Sequence, residues 1–94
     1  MPHLLIRHQV ADYAKWKPVF DAHAPARKMS GSKGGRLFRS ADDPNEVVIL
    51  LEWDDLGRAR GFASSEGLRT AMERAGVCGQ PEVRFLEEVE KPPM

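Results

Sequence analysis

Residues 3–10 alternate between two faces. Leu4, Ile6, His8 and Val10 share one, and His3, Leu5, Arg7 and Gln9 the other, which is the period-two signature of a strand. The period then changes. Tyr13, Trp16, Phe20, His23 and Arg27 recur at helical spacing, one inward stripe of a helix predicted to run from an Asp12 cap to about Met29. Pro18 and Pro25 interrupt it. Each lacks a donor and crowds the carbonyl four residues earlier, so a restart is expected near Lys17 and a kink near His23. Gly31 is suited to close the helix.

Residues 33–40 read as a second strand, where Gly34-Gly35 indicates a bulge or a close backbone approach. Asp42-Asp43-Pro44-Asn45 is a turn, and residues 46–53 return as a third strand to make a hairpin. Both faces of that third strand are apolar: Val47, Ile49, Leu51 and Trp53 on one, Val48 and Leu50 on the other. Asp54 or Asp55 caps a helix from near Leu56. Ser64 or Ser65 caps a short second one carrying Leu68, Met72 and Ala75, ended by Gly76. Residues 77–81 read as a loop and residues 82–89 as the last strand.

The order of strand, helix, strand, strand, helix, strand predicts an α+β, ferredoxin-like fold: a four-stranded antiparallel sheet with its helices on one face. Helices on one face leave the other uncovered. Large apolar side chains of the third strand must lie there whichever set points away from the helices. Such a face is expected to be covered by a second copy, giving a homodimer with sheet against sheet.

Composition narrows the classes. The 94 residues form one expected domain, ordered over about 3–90, and a chain this short buries only roughly 60–65% of its unfolded surface. One cysteine, Cys78, excludes a disulfide scaffold or a multi-cysteine zinc site. Fourteen basic and fourteen acidic residues balance, which argues against a nucleic-acid partner. The longest apolar run is five residues, too short for a membrane span, and the N-terminus lacks the pattern of a secretory signal. A cytoplasmic protein is expected.

The strand order, Asp12-Tyr13 and Trp16 after the first strand, and Glu46-Val47-Val48-Ile49-Leu50-Leu51-Glu52-Trp53 before a helix resemble the antibiotic-biosynthesis-monooxygenase-like proteins. The resemblance spans about residues 3–90 and implies a dimeric α/β barrel. It also implies a cofactor-free monooxygenase or related enzyme acting on a small aromatic or polyketide-like molecule. The haem-degrading branch carries a Trp and an iron-ligating His where this chain has Phe62 and Met72, so haem degradation is not expected.

Within this picture His8 and His23 are the candidate bases and Arg27 the candidate stabiliser of an anion. Tyr13, Trp16, Phe20 and Trp53 are candidate walls for a small hydrophobic or aromatic ligand. Each has a plainer alternative. His8 suits a hydrogen-bonded core or interface position, and His23 and Arg27 suit a helix emerging into solvent near Pro25. The two tryptophans suit core packing. No cofactor is expected. His3, His8 and His23 lack ligand spacing, so no metal is expected either. A non-enzymatic small-molecule binder or accessory protein, and a pure dimerisation module, remain the alternative classes.

Overall fold

Pro2–Val10 forms the first strand, β1, and the alternation read from its sequence sorts it into a dry face and a wetter one. Leu4, Ile6, His8 and Val10 are all at most 4% exposed. The computed structural model describes residues 1–93. Helices Tyr13–Ala22 (α1) and Ala24–Ser30 (α2) follow, then strands Ser32–Arg39 (β2) and Glu46–Trp53 (β3). Helices Leu56–Ala63 (α3) and Glu66–Ala75 (α4) precede the last strand, Val77–Glu87 (β4). All strand pairs are antiparallel in the order β2-β3-β1-β4. This is the ferredoxin-like α+β arrangement, with the two helices expected after β3 present and the single helix expected after β1 divided into two.

The first long helix departs from expectation. No restart occurs at Lys17: α1 starts at Tyr13 and runs through Pro18, which is exposed, as is Ala14. The carbonyl that Pro18 cannot serve is thus open to water. The interruption falls at His23 and is a full break between two helices. Pro25 sits in the first turn of α2, where a missing donor costs nothing. Gly31, at φ +117°, ends α2 in the left-handed conformation.

The second departure is at the C-terminal end. Residues 77–81, expected as a loop, belong to β4, with Val10 opposite Val77 and Gln9 opposite Cys78. A register shift between Arg7 and Gln9 absorbs the irregularity that Gly79 (φ +71°) and Pro81 introduce. An edge strand tolerates both, since its outer groups need no partner in the sheet. The strand stops at Glu87, so Val89 lies beyond it, 93% exposed.

Helix caps come from the expected residue types. Asp12 accepts from the Ala14 amide at 3.0 Å, Asp55 from Arg58 at 3.0 Å and Ser65 from Leu68 at 3.2 Å. The core lies between sheet and helices, where the dry face of β1 joins Val47, Ile49, Leu51 and Trp53 of β3 against Trp16, Phe62 and Leu68. Among the described residues nothing covers the opposite sheet face. Register puts Leu5, Val48 and Leu50 there with Phe38 and Leu86, which are 47% and 41% exposed. Arg7 crosses this face, paired with Glu46 at 3.1 Å and Glu82 at 3.7 Å.

Candidate functional site

Beneath α1 and α2 the core is incomplete. A narrow cavity of about 40 Å³ opens between them, α4 and the sheet. Its floor is Ile6 and His8 of β1 with Ile49 and Leu51 of β3. Trp16 and Phe20 wall one side, stacked at 4.9 Å with 19° between their planes. Phe62, Leu68 and Met72 wall the other. The mouth is polar, with His23 and Arg27.

His8 is the unusual member. It is 4% exposed, and neither ring nitrogen has a hydrogen-bond partner among the described residues. Its nearest aromatic neighbour is Trp16, ring edge to face at 5.7 Å. Unpaired buried polar atoms are scarce in folded proteins because each loses water without recovering a bond. Burial also penalises the imidazolium, so the pKa of His8 falls to about 4. At neutral pH it is an uncharged imidazole with a free acceptor nitrogen facing no protein donor.

His23 is half-buried against Phe62, ring to ring at 5.8 Å. Its pKa is also lowered, first by burial and then by the positive charge of Arg27. Arg27 donates from Nη1 to the Phe20 carbonyl at 2.8 Å, and its guanidinium carbon lies 3.9 Å from the centre of the Phe20 ring. A cation is favourable beside the carbonyls that end α1, and the Phe20 carbonyl also accepts from the His23 amide at 3.2 Å. Burial lowers the pKa of Arg27, while Asp21 opposes that shift. Guanidinium basicity is high enough that the group stays charged. One cation therefore closes α1 and stands at the cavity mouth.

The structure thus gathers His8, Trp16, Phe20, His23 and Arg27 around one space. Tyr13 and Trp53 stand outside it. Tyr13 packs under the Arg39 guanidinium at 4.3 Å, and its amide donates to Asn45 Oδ1 at 3.1 Å. Trp53 is fully buried against Phe62 at 5.1 Å, with an unpartnered indole N–H. Phe62, Leu68 and Met72 line the cavity although sequence reasoning did not single them out as site residues. Their spacing is that of any buried helix face, so only the packing of α3 and α4 separates lining from core. Among the described residues no group of three His, Cys, Asp or Glu side chains could hold a metal ion. Likewise, no helix is long and apolar enough to cross a membrane.

The fold class defined by this sheet and these helices is shared with solved structures that include oxygenases. An antibiotic biosynthesis monooxygenase superposes with a TM-score of 0.73 at 16% identity, covering 96% of this chain and 100% of its own. SnoaB, a cofactor-independent oxygenase from Streptomyces nogalater, superposes at 0.79 with 20% identity, covering 99% of this chain and 97% of that one. Rv0793 from Mycobacterium tuberculosis matches at 0.68 with 16% identity, over 99% and 100% of the two chains. The fold resemblance read from the sequence is thereby borne out. No protein-family model and no curated protein matches the sequence itself.

Proposed function

We propose that the cavity binds a small molecule bearing an acidic phenol or enol and removes its proton, and that the resulting anion reacts with dioxygen without a cofactor. The observation that carries this reading is His8, buried and unpaired on the floor of a cavity whose mouth holds a cation. His8 is the base, Arg27 stabilises the developing anion, and Trp16 and Phe20 contact the ring. His23 orients the ligand at the mouth. The likeness to cofactor-independent SnoaB supports the same class of chemistry.

Magnitudes narrow the substrate. Moving a proton from an ordinary phenol of pKa ~10 to a group near 4 costs about 8 kcal/mol. An ion pair at ~4 Å returns about 4 kcal/mol at an effective dielectric near 20. The two match when the substrate ionises near pH ~7, as enolised 1,3-dicarbonyls and polyhydroxylated rings do. The anion then forms a C–O bond to dioxygen, the distal oxygen takes a proton, and loss of water leaves a new carbonyl. Atoms balance as substrate plus O₂ to quinone-type product plus H₂O. The narrow cavity requires Phe20, Met72 or Arg27 to shift as a ring enters.

The protein is proposed to act as a homodimer through its open sheet face. A folded monomer of 10.5 kDa is expected to expose about 5,400 Å², whereas this chain exposes 6272 Å². The excess is close to the ~800 Å² that each partner contributes to a standard interface.

Oxygen uptake with polyhydroxylated naphthols and cyclic 1,3-diketones tests the chemistry. Wild type should consume oxygen, and His8→Leu should lose about a hundredfold or more in kcat. Undiminished turnover by His8→Leu overturns the proposal.

A further inference from the structure

The cavity has a neighbour that the proposed reaction does not use. Between α2 and β2 lies an open groove of about 700 Å³, sharing Phe20, Arg27 and Leu51 with the cavity. Its floor is apolar, formed by Phe20, Leu37 and Leu51, and its rim carries Arg27, Lys28 and Lys33 without any carboxylate among the described residues; Arg36 borders it, but register opposite Leu50 puts its side chain on the open sheet face. Lys28, Lys33 and Arg36 make no ion pair among the described residues. In a chain whose basic and acidic residues balance, this is a local excess of positive charge. β2 is an edge strand, and cations on an edge discourage pairing with other chains. That role accounts for Lys33 and Arg36. It does not account for Arg27 and Lys28, which reach the groove from α2.

We propose that the groove is an anion-recognising vestibule, so that the ligand of this protein is an amphiphilic organic anion. Its ring lies over Phe20 and Leu51, on the way to the cavity. Its carboxylate, sulfonate or phosphate lies among Arg27, Lys28 and Lys33. An apolar floor beside the charges removes water from one side of each ion pair, which strengthens it relative to an exposed pair. The proposal rests on the reading of the cavity as a small-molecule site and adds the ligand's charge.

Two dyes with one ring system separate the terms: 1-anilino-8-naphthalenesulfonate and its uncharged analogue N-phenyl-1-naphthylamine. The sulfonate should bind more tightly, and added salt should weaken it alone. Lys28→Gln with Lys33→Gln should weaken sulfonate binding about fivefold and leave the neutral dye unchanged. Amide resonances of Gly34 and Gly35 should move with the sulfonate. Equal effects on both dyes, no effect on either, or shifts confined to Leu5, Val48 and Leu86 on the open sheet face would overturn the vestibule. Failure of the cavity reading shows elsewhere, as unchanged turnover in His8→Leu, and leaves the dye comparison unaffected.

Discussion

His8 occupies a position that an apolar side chain would fill without loss. Its neutral form leaves two nitrogens unpaired, and its charged form is disfavoured further by burial. The sign of the pH effect follows. The folded pKa, about 4, lies below the unfolded value of 6.5, so between them the unfolded chain binds more protons. The His8 contribution is intact above pH 6.5 and is lost as pH falls toward 4, by about 3 kcal/mol in total. His23 shifts in the same direction and adds to the slope. Urea unfolding between neutral pH and pH 4 should show this loss, and His8→Leu should remove most of it. At neutral pH His8→Leu should be equally stable or up to about 3 kcal/mol more stable, because a buried unsatisfied group disappears. A less stable His8→Leu protein would mean that the imidazole is paired in solution.

At the scale of elements, the break at His23 is the decisive feature. A continuous helix would carry Arg27 along the α1 axis. The break instead lets Arg27 fold back on the Phe20 carbonyl, seven residues earlier in the chain. The far end of α2 is fixed by a clamp. Arg58 binds Asp54 at 2.7 Å and the Met29 carbonyl at 3.0 Å, while the Asp54 amide donates to the Gly31 carbonyl at 3.1 Å. A Cβ on Gly31 would come within 2.6 Å of Asp54 Oδ1, at a φ that L-residues resist. Gly31→Ala should therefore cost about 2–3 kcal/mol in chemical denaturation, from left-handed strain together with a disturbed clamp. Ser65 holds α4 in two ways, accepting from Leu68 and donating to the Phe62 carbonyl at 2.8 Å. Ser65→Ala should lower stability by about 1 kcal/mol in the same assay. Since α4 carries Leu68 and Met72, it should also weaken ligand uptake.

The whole molecule is a slab. Its extents of 34 × 33 × 21 Å are those of one sheet and one helix layer, and its radius of gyration is 13.2 Å. A chain of this length packed evenly would have a radius near 12.4 Å. The shape and the apolar strip of Leu5, Val48, Leu50, Phe38 and Leu86 support a partner on the open face. Leu50→Glu should shift sedimentation velocity from dimer to monomer and lower the melting temperature of dilute samples. A wild-type monomer at micromolar concentration would refute the dimer.

Much of the fold was legible in the chain. Period-two alternation in residues 3–10 and 46–53, capping residues at Asp12, at Asp54 or Asp55 and at Ser64 or Ser65, and the Pro44 turn are local signals that act through neighbouring residues. They determined the order of elements, and that order allows few topologies. The terminal part of β4 escaped because Gly79 and Pro81 read as loop residues, and only pairing with Gln9 and Val10 makes them a strand. The site was legible in part. The 3-4-3-4 stripe identified Trp16, Phe20, His23 and Arg27, but it grouped Tyr13 with them, which contact with Arg39 and Asn45 holds aside.

Whether the His8 face of β1 meets the helices or the open side of the sheet could not follow from alternation, because either side can bury an apolar face. Docking of α1 and α4 on the sheet decided it, since burying Leu4, Ile6 and Val10 carries His8 with them. Local patterning along the chain suffices for the order of the elements and for the surplus of apolar residues over what one layer of helices can cover. Tertiary structure alone decided which polar groups were stranded without partners, because desolvation depends on what packs from distant parts of the chain.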